Sequence, residues 1–177
     1  TALGPSIDIH TGATDLIFPH HFMSAALINA LTNRKFAKFF IHTGMVGFQG
    51  EKMSKSKGNL VFVSKLISQG VDPIVIRWAL LSNHYQSYRE WNEQLLNNSQ
   101  SEVDLVREAL SKSEVLPSAQ YLQQIASAIA NNLDTKLALN LILDWSQKSI
   151  AEHEPSKLVN GAGEMARGLD VLLGLSL

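Results

Sequence analysis

The most informative absence in this sequence is cysteine, of which its 177 residues contain none. Disulfide bonds are therefore excluded, and no thiolate of this chain can bind a metal ion. A run of about 20 apolar residues, long enough to span a membrane, is also missing, and no secretory signal opens the sequence. The formal net charge of −1 provides no general attraction to nucleic acid. We expect a cytoplasmic protein with no membrane association.

What is present is the composition of an ordinary globular protein, with 45% hydrophobic and 18% charged residues. A chain of this length can form one large domain or two small ones. Its first part alternates strand-like with helix-like segments, whereas its second part contains helical patterns. We predict an α/β domain over residues 1–88 and an α-helical bundle over residues 89–177.

The α/β prediction depends on a strand–helix–strand order near the start of the chain. Residues 7–10 alternate in the manner of a strand, residues 22–31 have the composition of a helix, and residues 39–42 are typical of a buried strand. This order predicts a parallel βαβ unit, and hence part of a doubly wound sheet. A turn is expected at Gln49 and Gly50.

The helices of the second part are predicted from apolar residues that recur at helical spacing. Asp134 is expected to cap one of them, and Asp72 is expected to cap a helix near the end of the first part, because a carboxylate accepts hydrogen bonds from the first backbone N–H groups of a helix. A break is expected at residues 115–118, and the last helix is expected to begin at Ser156. We interpret the apolar stripes as the core of a bundle without a cofactor site.

The most distinctive segment spans residues 52–59, where three lysines are separated by small residues and a Gly-Asn pair allows a tight turn. Ammonium and hydroxyl groups on one loop suit a polyphosphate whose charge grows as a bond breaks. The loop is expected beyond the carboxyl end of a strand, where parallel sheets bind ligands. The alternative is a solvated basic loop, which the full string of eight residues disfavours.

Two further motifs are less specific. Residues 11–15 form a turn of small residues after the first strand, and Asp15 can accept hydrogen bonds from sugar hydroxyls. A routine turn is an equally good interpretation. His20 and His21 are adjacent, so on a helix they point in different directions and cannot bind one metal ion from the same face. Either one is a ligand and the other is packed or solvated, or both are structural.

Taken together, the motifs resemble a known family. The strings Ile7-Asp8-Ile9-His10 and Asp15-Leu16-Ile17-Phe18-Pro19-His20-His21, with Gly12 and the lysine-rich loop, are similar to the cysteinyl-tRNA synthetase family of class I adenylate-forming enzymes. The loop resembles the KMSKS signature of that class. The resemblance is strong over residues 6–88 and looser in the helical tail. It implies the C-terminal portion of a Rossmann-like class I catalytic domain, followed by a helical bundle.

The family also includes a shorter ligase of the mycothiol pathway, which joins L-cysteine to glucosaminyl-inositol. Where the synthetases carry a glutamate as their fourth zinc ligand, this sequence has Ser24, and the ligase similarly lacks that glutamate. A synthetase would also continue beyond Leu177 into an anticodon-binding region. We therefore favour the ligase over tRNA as the acceptor. A fragment of cysteinyl-tRNA synthetase and a non-catalytic, synthetase-like interaction module stay open as alternatives.

The resemblance implies an activity and a set of site residues. ATP and L-cysteine would form cysteinyl-adenylate and pyrophosphate, and the amine of glucosaminyl-inositol would then displace AMP. Lys52 and Lys55 would stabilise the developing pyrophosphate charge. The remaining implied contacts are hydroxyl donors from Ser54 and Ser56, ribose contacts from Gly12, Ala13, Thr14 and Asp15, an adenine contact from the backbone of Val46, and zinc ligation by His20.

The sequence departs from the family pattern in three respects. The His-Ile-Gly-His signature that contacts ATP is missing, as are both zinc-binding cysteines, and Thr11 and Ala13 stand where the family has glycines. His20 alone cannot hold zinc. We therefore expect this chain to be the C-terminal part of a longer enzyme, either a fragment or one piece of a split protein. Its partner would be the missing N-terminal part, and the chain alone would be inactive.

Overall fold

The computed structural model describes residues 4–177, which form two compact units. Unit 1 contains the chain as far as Lys52 together with Tyr85–Glu90, and unit 2 contains Met53–His84 and Trp91–Leu177. These units differ in extent from the predicted domains 1–88 and 89–177, because apolar side chains within residues 53–84 pack into the helical core. The domain boundary at residue 88 stays a prediction.

Unit 1 begins with a parallel strand pair. Strand β1 (Ile7–Ala13) pairs with β2 (Ala37–Thr43), and helix α1 (Phe22–Thr32) lies between them in sequence. Two short helical turns, Thr14–Leu16 and Ile17–His21, join β1 to α1. Parallel strands need a crossover connection of this length, so the predicted βαβ unit is confirmed.

Two details of the predicted βαβ unit are wrong. The turn expected at residues 11–15 begins later, because β1 stays paired with β2 as far as Ala13. The second strand is not buried, since Phe39 is 65% and Phe40 43% exposed. Successive side chains of a strand point to opposite faces, and within the described residues neither face of this two-stranded sheet is fully covered.

The remaining strands of unit 1 place the start of the lysine-rich loop. Strands β3 (Val46–Phe48) and β4 (Glu51–Lys52) form a hairpin, and β5 (Arg89–Trp91) pairs with β3 on its other side. The two turn residues, Gln49 and Gly50, have φ values of 55° and 76°. A two-residue hairpin turn of this kind requires positive φ at both positions, so the predicted turn is confirmed.

Unit 2 is helical and buries its own core. Its helices are α2 (Val63–Ser68), α3 (Pro73–Leu81), α4 (Glu93–Ser111), α5 (Ala119–Ala130), α6 (Thr135–Ala151) and α7 (Gly163–Leu173). Trp78, Ile142 and Trp145 are fully buried. The two indole N–H groups are satisfied as burial demands, by Glu102 Oε2 at 2.6 Å and by the carbonyl oxygen of Leu116 at 2.9 Å respectively.

The predicted caps are confirmed, whereas the start of the last helix is wrong. Asp72 accepts a hydrogen bond from the N–H of Ile74, and Asp134 accepts one from the N–H of Leu137. Ser156 does not open a helix. It lies in a short turn, which is followed by strand β7 (Val159–Asn160), antiparallel to β6 (Glu114–Val115), and α7 begins only at Gly163. Strand pairing with a segment distant in sequence, Val115 with Val159, has overridden the local helical pattern.

None of the helices within residues 4–177 combines the length and the apolar character that crossing a bilayer takes.

Candidate active site

Lys52 and Asp15, predicted from separate motifs, form an ion pair in unit 1. The Nζ atom of Lys52 lies 2.5 Å from Oδ2 of Asp15, and both side chains are about half exposed. Asp15 sits in the helical turn directly after β1, and Lys52 ends β4. The hydrogen bond from Lys52 lowers the pKa of Asp15 below its ordinary value, so this carboxylate is ionised at neutral pH.

This pair has the chemistry that a nucleotide needs. An ionised carboxylate accepts hydrogen bonds from sugar hydroxyls, and a lysine ammonium attracts phosphate oxygens. In the structure the two groups contact each other over a separation of 37 residues. The arrangement therefore brings a hydrogen-bond acceptor and a cationic donor together at one place on unit 1, and their contacts with a nucleotide stay predictions.

Beyond Lys52, residues 53–59 of the lysine-rich loop belong to unit 2 and are closed by short-range hydrogen bonds. The N–H of Ser54 donates to Oδ1 of Asn59 at 2.8 Å, and the N–H of Gly58 donates to the carbonyl oxygen of Lys55 at 3.2 Å. Gly58 has φ of 67°, so the predicted tight turn is confirmed. The hydroxyl oxygens of Ser54 and Ser56 are 3.2 Å apart, and Lys55 is exposed at the turn.

Three histidines, two of them not singled out from the sequence, form a cluster in unit 1. His21 Nδ1 lies 2.9 Å from His42 Nε2, and the ring centroid of His21 lies 4.0 Å from that of His10. Burial lowers the pKa of His21, and the neighbouring His10 and His42 lower it further. The available signal was strand register: Gly12 pairs with His42 and is two residues from His10, so His10 and His42 lie on the same face of the sheet.

The predicted zinc ligand, His20, is an exposed side chain whose charge contributes to lowering the pKa of His21. Within the described part of the chain, no group of three or more histidine, cysteine, aspartate or glutamate residues is placed to hold a metal ion. The residues of this chain therefore do not fit zinc by themselves. Its adjacent neighbour His21 is packed, which is the division of roles that adjacency implies.

Gly12 has a packing role that the sequence did not reveal. A Cβ atom at this position would lie 2.6 Å from Cε1 of His21 and 3.0 Å from Cδ1 of Leu16. The imidazole ring of His21 therefore occupies the space that a side chain at position 12 would fill. The structure places Ala13 at the end of β1, Thr14 in the following turn and Val46 at the start of β3. Their contacts with an adenylate stay predictions.

Comparison with known proteins defines the class. Residues 1–101 match the family described as the tRNA synthetases class I (C) catalytic domain, and the chain belongs to that family. The solved leucyl-tRNA synthetase of Agrobacterium radiobacter K84, in complex with tRNA and LeuAMS, superposes with a TM-score of 0.67 at 17% identity, covering 96% of this chain and 26% of that one. Mycobacterium tuberculosis methionyl-tRNA synthetase bound by methionyl-adenylate gives 0.58 at 17% identity, covering 80% and 32%. The predicted class I α/β fold is confirmed.

Sequence relatives are more specific. A protein of Rhodococcus erythropolis named L-cysteine:1D-myo-inositol 2-amino-2-deoxy-alpha-D-glucopyranoside ligase is 43% identical over 176 residues, which is 99% of this chain and 42% of the relative. A ligase of the same name from Streptomyces avermitilis is 44% identical over 177 residues, with the same coverage. The chain thus spans about two fifths of the length of these relatives. The family resemblance inferred from the motifs is confirmed.

Proposed function

We propose that this chain is part of an ATP-dependent ligase that activates L-cysteine as cysteinyl-adenylate and transfers it to the amine of glucosaminyl-inositol. The observation that carries the proposal is 43% identity over 99% of the chain to a ligase named for those substrates. The class I family match supports activation by adenylation. The ion pair of Lys52 with Asp15 supports a nucleotide site on unit 1.

The reaction has two bond-exchange steps. A carboxylate oxygen of L-cysteine attacks the α-phosphorus of ATP, the bond to the β-phosphate oxygen breaks, and pyrophosphate leaves. The amine nitrogen of the acceptor then attacks the activated carbonyl carbon and loses a proton, and AMP leaves with the electron pair. The first step places new negative charge on pyrophosphate, which is where a pre-positioned ammonium lowers the barrier most.

The residues of this chain take roles that follow from their charge. Asp15, kept ionised by Lys52, accepts hydrogen bonds from the ribose hydroxyls. Lys52 and Lys55 stabilise the departing pyrophosphate, and Ser54 and Ser56 add hydroxyl donors on the same loop. Gly12, Ala13 and Thr14 supply the backbone beside the ribose, and the backbone of Val46 contacts the adenine. ATP is a substrate in this scheme, and the cytoplasm is the compartment we propose for it.

Zinc is the least supported part of the proposal. A soft metal ion would select a thiolate substrate, and His20 would be the ligand from this chain. His20 is exposed, and the described residues form no metal-binding group around it. The other ligands would have to come from polypeptide outside this chain, so no step of the reaction is derived through zinc.

The partner we propose for unit 1 is the remaining, N-terminal part of the same enzyme. Helix α1 is apolar all round and none of its residues is buried, although a helix of that kind normally lies inside a protein. Between α1 and β2 lies an open apolar groove, lined mainly by Phe22, Ala25, Phe36 and Phe40. Because the ligase relatives are more than twice as long as this chain, they contain enough polypeptide to cover this surface.

The test is an assay of the complete enzyme, made either as one polypeptide or by adding the N-terminal part to this chain. We expect cysteine-dependent exchange of pyrophosphate into ATP and an amide product with glucosaminyl-inositol, and no activity from the 177 residues alone. Charging of tRNA without amide formation would indicate a synthetase. A folded assembly that binds its partner but makes no adenylate would indicate an interaction module.

The lysine-rich loop provides the sharpest variant. Lys55→Ala should lower the adenylation rate by about 10²–10³, the usual cost of losing one electrostatic contact to a developing charge. Lys136→Ala, which removes an exposed lysine from α6, is the matched control and should leave the rate unchanged. An unaffected Lys55→Ala enzyme would contradict the proposed role of the loop.

A further inference from the structure

Glu90 holds the turn of the β3–β4 hairpin through both of its carboxylate oxygens. Its Oε1 accepts a hydrogen bond from the backbone N–H of Gly50 at 2.7 Å, and its Oε2 accepts one from the hydroxyl of Tyr88 at 2.6 Å. Gly50 is the second turn residue of the hairpin. One side chain on β5 is therefore bonded directly to the turn that leads into Lys52.

The hydroxyl of Tyr88 holds the hairpin at a second point. A Cβ atom at Gly47 would collide with the Tyr88 hydroxyl and would lie 2.5 Å from Oε2 of Glu90. Gly47 is also the residue that pairs with Lys52 across the hairpin. Tyr88 and Glu90 thus pack against the strand position directly opposite the lysine.

We propose that Tyr88 and Glu90 are positioning residues that fix the β3–β4 hairpin so that the ammonium of Lys52 meets the carboxylate of Asp15. The contacts form a continuous series within unit 1. Glu90 is bonded to Gly50, and Tyr88 packs against Gly47. Gly47 pairs with Lys52 across the hairpin, and the Nζ atom of Lys52 lies 2.5 Å from Oδ2 of Asp15. The catalytic consequence rests on the proposed function, whereas the positioning does not.

The protonation states suit this arrangement. The N–H of Gly50, followed by the hydroxyl of Tyr88, lowers the pKa of Glu90, so the carboxylate stays ionised and can accept from both donors. The hydrogen bond to Glu90 raises the pKa of Tyr88, so its hydroxyl keeps the proton it donates. A glutamine at position 90 can keep both contacts, because the Tyr88 hydroxyl can also accept a hydrogen bond, but its neutral oxygen is a weaker acceptor for the N–H of Gly50 than a carboxylate oxygen.

The structural test uses Glu90→Gln and Tyr88→Phe in the 177-residue chain, with two NMR measurements. We expect the Gly50 amide to exchange with solvent about tenfold faster in Glu90→Gln, because a neutral acceptor replaces a charged one. The ammonium signal of Lys52, slowed by its contact with Asp15, should weaken in both variants. Tyr121→Phe is the control, since it removes a hydroxyl bonded to the carboxylate of Asp144 in unit 2. Unchanged Gly50 exchange and an unchanged Lys52 signal would overturn the proposal.

The functional test uses a double-mutant cycle in the complete enzyme. Glu90→Gln should lower kcat for adenylation about tenfold with little change in KM for L-cysteine, and it should have no further effect when Lys52 is already alanine. Additive effects of the two substitutions would overturn the positioning role. If Glu90→Gln releases Lys52 in the NMR measurement but Lys52→Ala leaves adenylation intact, the positioning stands and the proposed function fails.

Discussion

The two units use apolar residues in opposite ways. In unit 2 the large side chains Trp78, Ile142 and Trp145 are fully buried, whereas in unit 1 Phe22 and Leu31 are 58% and 79% exposed. The helices α4, α5 and α7 have most of their apolar residues on one side, and that side faces the core, with Val171 of α7 as an exposed exception. Helix α1 has them on every side. Apolar content alone does not make a core, because the pattern must also match the cover that the fold supplies.

The polar contacts differ in the same manner. In unit 2 they complete the fold, as when Arg107 pairs with Asp72 and Glu102 accepts from the indole of Trp78. In unit 1 one ion pair, Lys52 with Asp15, lies at the proposed nucleotide site, and another, Lys38 with Asp8, lies on the surface of the strand pair. Unit 2 therefore buries its own core, whereas unit 1 keeps large apolar side chains and an ion pair exposed at its surface.

The comparison is tested most strongly by truncating one apolar side chain in each unit. Trp145→Ala should lower the free energy of unfolding by about 3–5 kcal/mol, because it leaves a cavity and removes the indole bond to Leu116. Leu31→Ala, at an exposed position of α1, should change it by less than about 0.5 kcal/mol. Urea unfolding followed by tryptophan fluorescence or circular dichroism measures both. Equal effects would mean that the units do not differ as described.

A smaller effect is expected at Gly12, one of the few tightly packed places in unit 1. Gly12→Ala would press a methyl group into the imidazole of His21, and crowding of this kind costs about 1–3 kcal/mol. The measurement is the loss of amide protection in β1 and β2 by hydrogen exchange. The control is Ala13→Gly, in the same strand as Gly12. Gly50→Ala is not used, because the positive φ of Gly50 would strain an alanine there. Unchanged protection in Gly12→Ala would show that His21 can move aside freely.

Loss of a helix cap in unit 2 should cause a still smaller decrease in the free energy of unfolding. Asp134→Ala should destabilise the chain by about 1 kcal/mol, because the N–H of Leu137 loses its acceptor at the start of α6. Asp134→Asn retains a side-chain oxygen and should recover most of that loss. Chemical denaturation gives both values, and an alanine variant as stable as the parent would contradict the capping role.

The smallest expected effect concerns acid stability. The hydrogen bond from Arg107 lowers the pKa of Asp72 in the folded state, with a further contribution from the N–H of Ile74. The stability this provides is complete above the unfolded pKa of about 3.9 and is lost as pH falls from there through the lower folded value. In Arg107→Met the decline between pH 5 and pH 2, a range of about three units around that value, should be shallower. An identical pH profile would contradict this assignment.

Several elements could be predicted because their causes are local. Asp72 and Asp134 each cap a helix by bonding to a backbone N–H two or three residues further on. The turn at Gln49 and Gly50 depends on the conformation of those two residues alone. The helical spacing of apolar residues predicted the bundle. The helix start predicted at Ser156 was wrong, because the residues that follow it form a strand paired with a distant segment. The exposure of Phe39 could not be foreseen either, since it depends on what covers the sheet rather than on the strand itself.

By itself the sequence determined the class I family, the βαβ order, the tight lysine-rich loop and the identity of the charged residues. These follow from short strings and from periodicity, which act over a few residues. Only the tertiary structure decided that Lys52 meets Asp15, that His21 fills the space above Gly12 and that Glu90 is bonded to the turn at Gly50. Strand pairing in the β4-β3-β5 sheet brings Glu90 to Gly50, and the turns after β1 bring His21 to Gly12. Lys52 meets Asp15 although their strands, β4 and β1, belong to different sheets. Contacts of this range depend on how the whole unit folds, so no local pattern encodes them.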